Sequence, residues 1–194
     1  MCAYNGSNSI SVYANTFEED GVQQIDQLDL FARFIKQLCT FFNGSKLMYV
    51  YAHNLSKFDG IWILRHLLPL GKVEPLLHNG RIISINIRLT IEGFVGKTIK
   101  FKDSLLLLPK SLRSLCNSYK IEVQKGYFPF KLNNINYTGK IPPYIFWNKI
   151  SQSEYIVLNK QFQGKVWSFR DEAIKYCILA KAVLYSFTPS INKI

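Results

Sequence analysis

The feature that most constrains the fold is an unbroken apolar run, Leu47–Ala52, set between two segments whose apolar residues recur at helical spacing. Upstream, Ile25, Leu28, Leu30, Phe31, Phe34, Ile35, Leu38 and Phe42 follow that spacing, and Asn43-Gly44 supplies the stop. Downstream, a second helix is expected over about 58–68, ended by Pro69 and Gly71. An apolar strand between two helices is the kind buried on both faces of a mixed sheet, so an α/β fold is expected.

The rest of the chain continues the alternation. Residues 2–5 and 10–15 read as short strands joined through Gly6-Ser7-Asn8, with Glu18-Glu19-Asp20-Gly21 as the next turn. Alternating strands are expected over 81–90 and 98–102, with the turn region at 92–96 between them. A short helix after Pro109 runs to about Tyr119, residues 126–143 read as irregular, and 151–161 and 169–187 read as helices. Asp171 and Glu172 fall in the first turn of the last helix, where they complement its dipole.

With 194 residues and 48% apolar content, one domain around one core is expected, without a linker. The net charge of +11 implies a surface that attracts polyanions, nucleic acid being the commonest. The alternative is a merely solvated basic surface. Lysine supplies most of the 24 positive charges, and Ile, Asn, Phe and Tyr are plentiful, as an A+T-rich genome would give. Cys2, Cys39, Cys116 and Cys177 show no CxxC spacing and read as reduced core residues of a non-secreted protein. His53, His66 and His78 are too scattered for a zinc set. Arg65, His66 and Pro69 interrupt the best apolar run, so no membrane span is expected. The N-terminus has neither a secretory signal nor an Arg-rich transit face, so a protein working in an organelle would be made there.

Sites in α/β folds gather where strands end and helices begin. Asn54 and Asp59 occupy such a junction within His53-Asn54-Leu55-Ser56-Lys57-Phe58-Asp59-Gly60. Asp59 has the hard oxygen ligands that suit Mg²⁺ or Mn²⁺, Asn54 can bond a phosphate or sugar, and Phe58 can stack on a base. The plain alternative is a helix cap by Ser56 or Asp59 with Phe58 in the core.

That stretch resembles the second exonuclease motif of family B DNA polymerases, most closely the protein-primed branch of phages and mitochondrial linear plasmids. Lys102-Asp103-Ser104-Leu105-Leu106-Leu107-Leu108-Pro109 is similar to that branch's Ser/Thr-Leu motif. Val123-Gln124-Lys125-Gly126-Tyr127-Phe128 resembles its Lys-x-x-hydrophobic motif, and Trp167 to Tyr185 its third exonuclease motif. The resemblance spans about 4–185 and implies an RNase H-like (DnaQ-like) 3′-5′ exonuclease fold, a mixed sheet flanked by helices. It implies catalytic roles for Asp59, Lys125 and Tyr176, and contacts to single-stranded DNA at the primer 3′ end for His53, Asn54, Phe58, Ser104 and Leu105. It also implies Mg²⁺ or Mn²⁺, a terminal protein as primer, and a mitochondrial, organelle-encoded protein.

The departures from the family pattern matter as much. The motif's Asp position on the last helix is Ala180. The first-strand Asp-x-Glu would fall before Met1, and Glu18, Glu19 and Asp20 lie on a turn and read as solvated. Asp59 is thus expected to be the one remaining ligand of four, with the N-terminal strand missing from the middle of a five-stranded sheet and its neighbours left with open edges. No palm-type Asp pair occurs before Ile194. The expectation is a partial, degenerate exonuclease domain of a plasmid-type DNA polymerase, inactive alone, whose parent would copy DNA with proofreading. The alternatives are a single-strand-binding module without catalysis, or an unstable pseudogene product.

Overall fold

The computed structural model describes residues 1–19, 22–41, 45–119, 127–148 and 150–185. Its centre is a mixed four-stranded sheet of β5 (Leu47–Ala52), β6 (Gly71–His78), β7 (Arg81–Leu89) and β8 (Thr98–Asp103), in the order β5-β8-β7-β6. β5 runs parallel to β8, and the other two pairings are antiparallel. Two hairpins stand apart from this sheet. One is β1 (Cys2–Tyr4) with β2 (Ser9–Ser11), and the other is β3 (Thr16–Glu19) with β4 (Val22–Ile25).

Helices α1 (Gln27–Phe41) and α2 (Gly60–Leu67) cover one face of the sheet. The Asp26 carboxylate accepts a hydrogen bond from the Asp29 amide at 2.8 Å, meeting one of the free donors at the start of α1. Asp29 also pairs with Arg33 one turn on, at 2.7 Å. The helix then buries Phe31, Phe34, Ile35, Leu38 and Cys39 against Ile85, Ile87, Ile99 and Phe101 of the sheet. α2 joins through Trp62, whose ring meets Phe31 edge-on at 5.4 Å and whose indole N–H donates to Gln27 at 2.9 Å. The sheet's other face carries Lys100 and Lys102, because in β8 Ile99, Phe101 and Asp103 alternate inward.

A shorter α3 (Leu112–Tyr119) packs Leu115 and Cys116 with Leu108 and Tyr51. The chain then passes through β9 (Thr138–Gly139), α4 (Gln152–Gln161), β10 (Trp167–Ser168) and α5 (Phe169–Tyr185). Ser151 and Glu154 form a reciprocal capping box at the start of α4. Trp167 is fully buried and, with Trp147, Phe169, Phe128 and Tyr176, makes an aromatic cluster under α5. Among the described residues no helix is long and apolar enough to cross a membrane.

Four expectations are corrected. Leu47–Ala52 is not buried on both faces: among the described strands β5 pairs only with β8, and Leu47 and Tyr49 are exposed. The acidic Glu18 and Glu19 lie in strand β3 rather than on a turn. β6 is a strand where none is expected, and as an edge strand it accommodates Pro75. It is joined to β7 by Asn79-Gly80, both with positive φ, as a two-residue hairpin requires. Cys177, finally, is only half-buried, unlike the other three cysteines. The stop at Asn43-Gly44 and residues 186–187 of the last helix lie outside the described residues.

Candidate functional site

β5 and β8 are parallel neighbours, so their C-terminal ends emerge side by side, with Ala52 opposite Asp103. One carboxylate holds the segments that leave both ends. Asp103 is buried at 3% exposure and accepts from the amides of Asn54, Ser56 and Leu105, each at 2.9 Å, and from the Ser56 hydroxyl. Burial pushes its pKa up, but the hydrogen bonds from Ser56, Leu105 and Asn54 outweigh this and hold it below the ordinary value of 3.8. Ser104 is fully buried and ties the same two ends: its hydroxyl lies 3.1 Å from His53 Nδ1 and donates to the Ala52 carbonyl at 3.3 Å. His53 Nε2 reaches the Lys110 carbonyl at 3.0 Å.

Beyond the clamp the chain makes one wide turn of π geometry over Leu55–Asp59 before α2 begins. Asn54 enters that turn with φ 69°, a left-handed conformation that Asn tolerates better than most residues. Its side-chain Oδ1 is buried and has no hydrogen-bond partner among the described residues. Gly60 lets the turn sit close to the sheet, because an added Cβ would fall 2.9 Å from the Leu55 carbonyl oxygen and 3.3 Å from Ile82. Neither Asn54 nor Asp59 makes a side-chain cap, and the Ser56 hydroxyl goes to Asp103 instead.

Asp59 is exposed and lines a groove of about 770 Å³. One wall is β5, through Tyr49 to Ala52, and the other is β1 with the start of its loop, through Met1 to Asn5. Phe34, Leu38, Trp62, Ile63 and Phe101 form the floor, and Cys177, Lys181, Leu184 and Tyr185 of α5 close one side. Among the described strands β1 pairs only with β2 and β5 only with β8, so the groove lies between two strands that each have an unpaired edge.

The expected site residues are thus only partly brought together. His53, Asn54, Ser104 and Leu105 meet at the Asp103 clamp, and Asp59 sits one turn away on the groove. Tyr176 is elsewhere: its ring packs on Phe128 at 5.5 Å and Phe130 at 5.4 Å, and neither it nor Ala180 lines the groove. Lys125 lies outside the described residues, as does the side chain of Phe58. Asp103 carries the junction and was not anticipated from the sequence. The available signal was an acid at a strand end directly before Ser104.

The family described as DNA polymerase type B, organellar and viral, matches residues 39–194. The chain belongs to this family. Among similar proteins are the probable DNA polymerases of Neurospora intermedia, 36% identical over 74% of this chain and 16% of the relative, and of Ascobolus immersus, 35% identical over 84% of this chain and 14% of the relative. The chain therefore spans only about a sixth of the length of these relatives. Solved structures that align with it include Phi29 DNA polymerase complexed with single-stranded DNA, at 21% identity and a TM-score of 0.42, covering 93% of this chain and 31% of that one. The same polymerase complexed with primer-template DNA aligns at 23% identity and a TM-score of 0.36, over 80% of this chain and 25% of that one.

A type B polymerase implies a divalent ion, but the donors among the described residues do not fit one. Asp59 is the one carboxylate among the groove-lining residues, and the described residues contain no cluster of three or more His, Cys, Asp or Glu able to hold a metal. Mg²⁺ gives up its water reluctantly, and a single carboxylate offers it too little in return.

Proposed function

We propose that this chain is the 3′-5′ exonuclease portion of a type B DNA polymerase of the protein-primed, mitochondrial-plasmid kind, with its chemistry incomplete in these residues. The observation that carries the reading is the Asp103 clamp. It draws two segments some fifty residues apart, Asn54–Ser56 and Ser104–Leu105, into one junction at the ends of parallel strands. Asn54 there keeps a buried acceptor without a protein partner among the described residues, suited to a donor on an incoming strand. The groove supports the same reading. An RNase H-like sheet would have a further strand between β5 and β1, and two strands with unpaired edges flank that place. With Asp59 as the one carboxylate among its described lining residues, the groove offers too few described ligands for metal-assisted hydrolysis. The whole protein would copy DNA from a protein primer and proofread it, and this chain would supply grip on the primer end.

A second reading, a plain single-strand-binding module, is favoured by the outer face of the sheet. Tyr49 is 50% exposed there, with the Lys102 ammonium 4.9 Å and the Lys100 ammonium 6.0 Å from its ring centre. Fluorescence anisotropy with labelled oligonucleotides separates the two. The exonuclease portion should prefer a free 3′ end over a 3′-blocked one and lose roughly 5- to 100-fold in affinity on Phe58→Ala, as loss of one base stack implies. A plain module should ignore the 3′ end and follow salt, log K falling by about 0.7 per phosphate contact. Affinity indifferent to both the 3′ end and Phe58 would overturn the first reading.

A further inference from the structure

The groove wall carries two sulfurs that grip on a primer end does not use. Cys2 on β1 and Cys177 on α5 both line it, and their thiols are hydrogen-bonded to each other. They lie near opposite ends of the sequence, so only the packing of β1 against α5 brings them together. That packing is specific: Tyr4 meets Tyr185 edge-on at 5.5 Å, and Leu184 is buried. Gly6 leaves room for the Tyr185 ring, since an added Cβ would fall 2.4 Å from it. On α5, Cys177 and Lys181 are one turn apart, so the thiol and the ammonium share the helix face that closes the groove.

The two sulfurs are unequal. The hydrogen bond from Cys2 lowers the pKa of Cys177, with burial opposing it and Lys181 and the N-terminal amine assisting. The same contact, together with burial, raises Cys2. One sulfur is therefore suited to attack, while the other holds its proton until called on. Cys39 and Cys116 contrast with this pair. Both are buried in separate apolar clusters, and burial raises both.

We propose that Cys2 and Cys177 form a reversible dithiol–disulfide site, oxidised by hydrogen peroxide or a small organic hydroperoxide that enters through the groove, and that the resulting bond pins β1 to α5. The Cys177 thiolate attacks one peroxide oxygen and the O–O bond breaks. This gives a sulfenic acid and a hydroxide, which takes up a proton as water, or an alcohol when the oxidant is organic. The Cys2 thiol then gives up its proton, and its sulfur attacks the Cys177 sulfur. The S–O bond breaks, and the departing hydroxide leaves as water. The two sulfurs lose two electrons and the peroxide gains them; a dithiol reductant reverses the change by exchange.

The test uses the full chain, reduced, freed of reductant and treated with stoichiometric hydrogen peroxide. It is then blocked with N-ethylmaleimide after unfolding and mapped by peptide mass spectrometry. The expected result is a Cys2–Cys177 cross-link with Cys39 and Cys116 labelled, reversed by dithiothreitol and accompanied by a higher non-reduced melting temperature. Before oxidation, the folded chain should alkylate at Cys177 at least about tenfold faster than at Cys39 or Cys116. C177S should abolish the cross-link, and C2S should leave a Cys177 sulfenic acid that dimedone traps. If C2S fails to fold, the wild-type map and C177S still decide. Four surviving thiols, a Cys177 sulfinic acid beside a free Cys2, or cross-links reaching Cys39 or Cys116 equally would overturn the proposal.

Discussion

The junction at the ends of β5 and β8 and the groove between β5 and β1 lie one turn apart, yet they differ in how their polar groups are met. In the junction one buried carboxylate answers four donors, and a buried serine ties the two strand ends to each other. In the groove one exposed carboxylate shares an apolar wall with two strands whose inner edges have no described partner. A site's framework and its reactive charges are thus separable. The hydrogen-bonded framework persists on its own because buried donors are expensive to strand. Exposed carboxylates contribute almost nothing to folding, so their loss goes unpunished by stability.

The largest expected effect tests the first half of that contrast. Asp103→Leu removes the acceptor for four buried or half-buried donors and should destabilise the fold by about 4 kcal/mol, read from urea melts. If the loss is below about 1 kcal/mol, the junction is not a structural framework. Ser56→Ala removes a single hydroxyl bond to the same carboxylate and should cost about 1.5–2 kcal/mol. Acidity gives a third handle. The folded pKa of Asp103 is depressed, so its contribution is fully present above the ordinary value of 3.8 and is lost as pH falls through the folded value. The stability gap between wild type and Asp103→Asn should therefore be constant above about pH 5 and close below pH 4. A gap that widens on acidification would mean that the folded pKa is raised instead. The smallest effect belongs to the groove: Asp59→Ala should change stability by less than about 0.5 kcal/mol, since its side chain is exposed.

The same contrast explains what could be read from the chain alone. Helix α1 follows from periodic apolar residues, α2 from the stop at Pro69 and Gly71, and the Asn54–Asp59 junction from its place after an apolar strand. Leu47–Ala52 reads as doubly buried because apolar content does not say which edge of a strand is paired or which faces are covered. Tyr49 and Leu47 are apolar and exposed. β6 carries Pro75, which a strand tolerates at an edge position that only the assembled sheet defines. Asp103 is hard to read for a related reason: three of its four donors lie about fifty residues earlier, so its sequence neighbours mark it as no more than an acid at a strand end before Ser104. The Cys2–Cys177 contact is likewise invisible in spacing, being made by the packing of the two ends of the chain.

On the proposed reading, the described residues carry the framework of an exonuclease site without a full set of metal ligands. The most direct measurement is incubation of 5′-labelled single-stranded DNA with the purified chain and Mg²⁺ or Mn²⁺, run on a sequencing gel. Full-length DNA is predicted at every time point, identical for wild type and Asp59→Ala. Metal-dependent 3′ shortening by the wild type that vanishes in Asp59→Ala would contradict the claim.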